Sequence, residues 1–353
     1  MRYVELTEEH LPAAAGVVAA TTRRRAAWTG PGARPVGSAD LAAVAETTLR
    51  PYVDDATRIA YVAVDGDDVH AVLGGLYKHL TPADPEYVYQ APHQLVLATT
   101  ACAARDENAE AEHLPELFAR IRVRAREREG IDRIGVGVLA ADWWSGALWR
   151  GLGLRPEIVF ALRPVRVPER VSSGIRVRAA GADDLDALVR LSLDEILYHA
   201  HHTATGTSPH QDVETIRKQA SGWWDHHADE SVERAFVAED GEGTVVGMTT
   251  VRVVTAAAES VAQFVLPRRY AYVGLTDVVA SSRGSGVGAA LAAHVLAWTR
   301  ALPDPPELVG LHYASDNALS APFWSARGYA PAATFLTTAP RHRVDVAPGM
   351  GGA

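Results

Sequence analysis

The sequence predicts an α/β protein built from two tandem domains of one fold, each a mixed, mostly antiparallel sheet flanked by helices. Three observations predict it. The chain has 353 residues, more than one hydrophobic core usually serves. Segments of the first half recur in the second at a fixed spacing. Within each half, strand-like and helix-like apolar patterns follow one another in an order that gives a partly antiparallel sheet.

The repeat is the strongest of the three. YVAVDGDD (61–68) aligns with FVAEDGEG (236–243), each a short strand entering a glycine turn, at an offset of 236 − 61 = 175. DWWSGALWRGLGLRP (142–156) aligns with NALSAPFWSARGYAP (317–331) at 317 − 142 = 175, matching Trp149 to Trp324, Gly153 to Gly328 and Pro156 to Pro331. A third pair, VELTEEHLPAA (4–14) and VRAAGADDLDAL (177–188), joins a strand to an acidic helix start. The expected domains are therefore 1–164 and 175–338, with a Pro-, Ser- and Gly-containing linker over 165–174 and a tail over 339–353.

In the second half the elements run in this order. IRVRAA (175–180) is a first strand, and the acidic start after it opens helices over 182–200 and 211–228. ERAFVAED (233–240) and TVVGMTTVRVV (244–254) are strands flanking the DGEG turn, rich in β-branched residues. RYAYVGLTDVVA (269–280) is a further strand, followed by a helix over 286–301, the strand ELVGLHYA (307–314), a helix over 317–327 and the final strand AATFLTT (332–338).

Composition excludes several classes. The formal charge of −9 argues against nucleic acid, which needs clustered Lys and Arg. The Arg-dense RIRVRAREREG (120–130) is interleaved with Glu and reads as a solvated helix face. The single Cys102 rules out an internal disulfide and a thiolate zinc cluster, so a reducing compartment is expected. MRYVELTEEH has neither the basic start nor the apolar core of a signal peptide, and no apolar run suggests a membrane span; the expectation is a cytoplasmic protein. Abundant Ala and Arg with scarce Lys point to a GC-rich bacterial genome.

The segment VVASSRGSGVGAAL (278–291) places three glycines in alternation between an apolar strand and a helix. It lacks the Gly-Lys-Ser/Thr of a nucleoside triphosphate loop. Gly284, Gly286 and Ala289 satisfy a dinucleotide fingerprint by letter, but Asp304 lies in a loop and Asp316 leaves only 353 − 316 = 37 residues to complete such a domain. Arg283-Gly284-Ser285-Gly286-Val287-Gly288 instead resembles the R/Q-x-x-G-x-G/A pyrophosphate loop of the GNAT (GCN5-related N-acetyltransferase) superfamily. ASDNALSAPFWSARGYAPAATFL resembles that superfamily's next motif, an Asn after a strand, an aromatic pair, then Gly-aromatic. The fold class is then two tandem GNAT (acyl-CoA N-acyltransferase) domains. Physically, a glycine turn at a helix N-terminus presents backbone N–H groups to a diphosphate, and Arg283 adds a positive charge.

The resemblance implies a cofactor and a reaction. Acetyl-CoA would pair with the backbone at Val278, Val279 and Ala280 and be held by Arg283 to Gly288 and by Asn317, whose other role is to cap the helix that follows. A deprotonated primary amine of a small molecule would then attack the thioester. The family's usual Tyr acid is replaced by Trp324, and Tyr329 reads as core. Tyr272, placed on the face of Val278 by even spacing, is the candidate acid; Asp277, Glu195 and the histidines are candidate bases. DEILYHAHH (194–202) and GWWDHHADE (222–230) offer His199, His202, Trp223 and Trp224 to line the substrate side. His201 and His202 are neighbours pointing apart and no Cys assists, so no metal is expected.

The halves are not equivalent. Arg283 falls on Asn108 at the offset, in AARDENAEAEHLP (103–115), which has no glycine and carries Asp106, Glu107, Glu110 and Glu112. Such a segment repels a diphosphate. The expectation is one working site in the second half of a monomer or homodimer, an organisation resembling actinobacterial mycothiol synthases. The alternative is a module that binds acetyl-CoA as a sensor without catalysis.

Overall fold

The computed structural model describes residues 1–26, 40–84, 87, 90–128, 130–131, 133–166, 174–205, 213–224, 229–256 and 261–338. The predicted 339–353 tail and most of the 165–174 linker lie outside them. Among the described residues, no helix is long and apolar enough to cross a membrane.

In the first half, β1 (Arg2–Glu5) leads through a short turn to α1 (Leu11–Ala26), α2 (Leu41–Leu49) and α3 (Pro51–Asp54). The hairpin β2 (Arg58–Asp65) and β3 (Asp68–His79) follows, then β4 (His93–Ala104), α4 (Glu107–Glu127), β5 (Arg133–Leu139), α5 (Trp143–Gly151) and β6 (Arg155–Pro164). The second half repeats the order as β7 (Arg176–Ala179), α6 (Leu185–His202), α7 (Val213–Ala220), β8 (Arg234–Glu239), β9 (Val245–Thr255), β10 (Arg269–Val278), α8 (Val287–Arg300), β11 (Leu308–Ala314), α9 (Ser320–Ser325) and β12 (Ala330–Thr337). Two predicted helices are shorter than their patterns implied. α7 ends at Ala220, just before Gly222, and Trp223–Trp224 continue as a turn, with 225–228 outside the described residues. α9 begins at Ser320 because the Asn317 side chain accepts from the N–H of Leu319 and Ser320 at 2.9 and 3.1 Å.

The twelve strands form one sheet in the order β1-β2-β3-β4-β5-β12-β6-β11-β10-β9-β8-β7. Each half contributes five neighbouring strands in chain order, and then the halves exchange their last strands. β12 pairs antiparallel with β5, β6 pairs antiparallel with β11, and β6 and β12 pair with each other at the centre. Matched residues make the exchange possible. A Cβ on Gly135 of β5 would overlap the Phe335 ring of β12, and one on Gly310 of β11 would lie 3.0 Å from Phe160 of β6. Both pairs obey the 175-residue offset (310 − 135 and 335 − 160), so each half carries a glycine that admits the other half's phenylalanine. Buried Arg133, Glu157 and Thr337 link β5, β6 and β12 at the same seam. Burial raises the Glu157 carboxyl above its ordinary range, and Arg133 opposes the rise.

Helices cover both faces. α1 and α2 bury Leu11, Val18, Leu41 and Leu49 on one face of the first half, while α4 and α5 bury Leu114, Phe118, Ile121 and Trp149 on the other. In the second half α6 and α7 pack Leu188, Leu191, Ile196 and Ile216 against Met248, and α8 packs Ala292, Val295 and Leu296 against Val251 and Val273.

Candidate active site at the seam between β10 and β11

Parallel pairing of β10 with β11 covers only Ala271–Val273 against Val309–Leu311, although the strands run on to Val278 and Ala314. Beyond it the two strands part. A bulge lies at the parting point: Val273 pairs with Val251, but the next pair is Thr276 with Thr249. The extra residue reverses the alternation. Val278 therefore faces α8 with Val287 and Leu291, whereas Tyr272 faces the other side. The even-spacing expectation that Tyr272 and Val278 share a face is corrected; it is Asp277, opposite Met248 in the α6–α7 core, that shares the face of Tyr272.

After β10 the chain makes one tight turn over Ala280–Ser282 and reaches the glycine segment. Gly284 at φ +80° and Gly286 at φ +97° adopt left-handed backbone that other residues reach only with strain. Gly288 is needed for another reason, since a Cβ there would sit 2.9 Å from the Phe323 ring. Gly286 caps α8 without any side chain, so the N–H groups of Val287, Gly288 and Ala289 are left at the helix start with no intrahelical acceptor. Ser285 Oγ donates to Ser282 O at 2.6 Å. Arg283 folds back over the strand end: Nε donates to Val278 O at 2.9 Å, Nη2 lies 3.6 Å from Asp277 Oδ1, and the guanidinium sits 5.6 Å from the Tyr198 ring centre.

Asp277 is 7% exposed, and its Oδ2 has no hydrogen-bond partner among the described residues. Burial pushes its pKa up to about 6 despite the Arg283 charge, and Glu195 and Asp194 of α6 add to the rise. Glu195 Oε1 lies 3.0 Å from His199 Nε2. Burial pulls the His199 pKa down, but the hydrogen bond and charge of Glu195 outweigh it and the net shift is upward. His199 Nδ1 also contacts Thr203 Oγ1 at 3.1 Å. Asn317 is buried and, besides capping α9, has Oδ1 3.5 Å from the Tyr198 hydroxyl. His202 is exposed and stacks on Tyr198 at 4.5 Å.

Trp223 and Trp224 pack against the α6–α7 core. Trp324 and Tyr329 are buried on the α8 side, 7% and 5% exposed. The Tyr272 hydroxyl lies 3.1 Å from His312 Nδ1, and Arg252 sits 5.7 Å from the Tyr272 ring centre. Sequence reasoning passed over Tyr198, His312, Glu233 and Phe160. Tyr198 stands in the His-rich run three residues after Glu195, and His312 alternates with core residues of its strand, so both carried a weak signal. Phe160 carried none, because only the strand exchange brings it to the second half.

The first half parts in the same way but is filled. β4 pairs with β5 over Gln94–Leu97 and Arg133–Val136 and then leaves it. The Arg25 side chain, 7% exposed, lies there: Nη1 donates to Thr99 O at 3.1 Å and Cys102 O at 2.9 Å, and Nε to Asp142 at 3.0 Å. Cys102 and Asp142 are the offset counterparts of Asp277 and Asn317. α4 starts at once with Glu107, and Asp106 takes up the N–H of Ala109 at 2.9 Å.

Comparison with known proteins agrees with this geometry. The family model described as acetyltransferase (GNAT) family matches residues 194–329. A GCN5-related N-acetyltransferase from Sphaerobacter thermophilus is similar at 17% identity, covering 98% of this chain and 97% of that one with a TM-score of 0.54. A tandem GNAT protein from the clavulanic acid biosynthesis pathway aligns at 16% identity over 96% and 98% of the two chains, TM-score 0.46. A GNAT-family acetyltransferase from Colwellia psychrerythraea aligns at 12% identity over 97% and 100%, TM-score 0.46. No curated protein matches the sequence. Residues 194–329 thus match the acetyltransferase (GNAT) family model, and the fold of the whole chain is similar to that of a GCN5-related N-acetyltransferase.

Proposed function

We propose that the protein transfers acetyl from acetyl-CoA to a primary amine of a small molecule, with 175–338 as the catalytic domain and 1–164 as a degenerate one. The observation that carries the reading is the seam itself: two parallel strands that part, ending at a helix start whose N–H donors are taken up by no side chain among the described residues. These residues fit a pantetheine diphosphate. Donors at Val287 to Ala289 and the Arg283 charge suit the diphosphate, and the strand end at Val278 and Ala280 supplies backbone groups for the arm, whereas the Val279 N–H donates to Val246 O and its carbonyl accepts from the Ser282 N–H; Asn317 adds a buried amide beside Tyr198. When bound, acetyl-CoA supplies the acetyl group as an activated thioester.

The protein's part is to prepare the amine and to provide a proton. A free primary amine has a pKa near ~10.4 and is protonated at neutral pH, so a base is required. Asp277 serves as that base, because a carboxyl titrating at about 6 is ionised at pH 7 yet basic enough to accept a proton. Glu195, paired with His199 on α6, holds negative charge behind it. Tyr272, in contact with His312, provides the proton for the leaving thiol in place of the residue replaced by Trp324. His199, His202 and the turn of Trp223 and Trp224 border the acceptor side.

The test is acetyl-CoA titration by calorimetry together with thiol release over a panel of primary amines. One acetyl-CoA per chain and amine-dependent thiol release are expected. Binding without release on any amine would favour the sensor, and no binding would overturn the reading.

A further inference from the structure

On the sheet face shared by Tyr272 and Asp277, aromatic rings from three strands form a wall. His312 of β11 stacks on Phe160 of β6 with centroids 4.8 Å apart and planes at 30°, Phe160 meets Tyr270 of β10 at 5.4 Å, and Tyr272 lies 5.5 Å from His312. Tyr270 and Tyr272 are partly exposed and His312 is open to solvent.

Beside the wall stands a fixed carboxylate. Glu233 precedes β8, and the pairing of Ala235 with Thr250 and of Arg252 with Tyr272 puts its side chain on this same face. Glu233 Oε1 accepts from Thr250 Oγ1 at 2.6 Å, and Thr250 Oγ1 accepts from the N–H of Leu275 in the β10 bulge at 3.0 Å. A Cβ on Gly274 would overlap Glu233 Oε1, so the carboxylate rests on the strand where β10 leaves β11. Arg252 is exposed, with its guanidinium 5.7 Å from the Tyr272 ring centre.

We propose that Glu233 and the wall of Tyr270, Tyr272, His312 and Phe160 form the acceptor subsite, and that the acceptor is a small primary amine carried on a planar apolar body, an arylalkylamine in chemical class. The inference rests on the acetyl-transfer reading above. Glu233 takes the ammonium group as a charge-assisted hydrogen bond, and the rings take the planar body by stacking. Because Phe160 belongs to the exchanged strand, the first half contributes directly to acceptor choice.

The experiment titrates the full chain with 2-phenylethylamine and with hexylamine, which has the same charge and no ring, by calorimetry without acetyl-CoA. The expected result is at least tenfold tighter binding of 2-phenylethylamine. Glu233→Gln should weaken it at least tenfold while leaving acetyl-CoA affinity unchanged, and Glu233→Asp, which keeps the charge, should recover part of the loss. Phe160→Leu should narrow the preference for the ring. Failure of 2-phenylethylamine to bind, equal affinity for the two amines, or equal impairment of Glu233→Gln and Glu233→Asp overturns the subsite. Thiol release separates the two readings: tight, Glu233-dependent binding without release sinks acetyl transfer and leaves the subsite standing, whereas release with an unaltered amine KM in Glu233→Gln sinks the subsite.

Discussion

Replacing Asp277 by asparagine tests the base through stability as well as rate. The carboxyl titrates near 3.8 in the unfolded chain and at about 6 in the folded protein, raised mainly by burial. A shift of that size corresponds to roughly 3 kcal/mol, since each pKa unit is about 1.4 kcal/mol. The sign follows from proton counting. Below about pH 3 the group is protonated in both states and contributes nothing; between about pH 4 and 6 the folded state holds the proton that the unfolded state has released, so raising the pH costs stability; above about pH 7 the whole cost is present. The carboxamide of the Asp277→Asn variant has no such titration. The stability difference between Asp277→Asn and wild type should therefore grow in favour of the variant by up to roughly 3 kcal/mol from pH 4 to pH 8 and be flat above pH 7. Paired urea denaturation curves across that range measure it. In parallel, the acid limb of the wild-type kcat/KM profile should fall near pH 6 and vanish with activity in the variant. A stability difference that does not change with pH, or one that changes in the opposite sense, would refute a buried, poorly partnered carboxyl at this position.

Two further outcomes follow from the geometry of the two halves. Gly284→Ala forces a side chain into left-handed backbone at φ +80°, a strain of about 1–2 kcal/mol, and should weaken acetyl-CoA binding by roughly five- to thirtyfold in calorimetry; Gly66→Ala, at φ +61° in the β2–β3 turn, carries comparable strain and should lower the melting temperature without touching acetyl-CoA affinity. Arg25→Met strands the buried Asp142 carboxylate and should destabilise the fold by about 3–5 kcal/mol in denaturation, with acetyl-CoA stoichiometry unchanged.

What the sequence disclosed depended on whether the signal was local. The 175-residue repeat, the strand and helix order and the glycine turn are all written in neighbouring residues, and the structure has them. The exchange of β6 and β12 is not, because each strand has the same apolar pattern whichever half it joins; only the Gly135–Phe335 and Gly310–Phe160 pairs, far apart in the chain, select the partner. The bulge after Val273 leaves little trace beyond Gly274, yet it decides that Asp277 and not Val278 lies with Tyr272. Similarly, the His-rich company of Trp223 and Trp224 gave no sign that both rings pack part of their apolar area against the α6–α7 core. The filled seam of the first half was visible only as missing glycines, since Arg25 sits in an ordinary basic helix end. Its partners Thr99, Cys102 and Asp142 lie 74, 77 and 117 residues further along the chain, and only the fold brings them to it.

The central claim is one cofactor site per chain, at the start of α8. Amide hydrogen exchange with and without acetyl-CoA tests it most directly. Slowed exchange over 284–289, with 106–112 at the start of α4 unchanged, is the predicted result; protection of 106–112, or none at 284–289 with acetyl-CoA bound, would contradict the account.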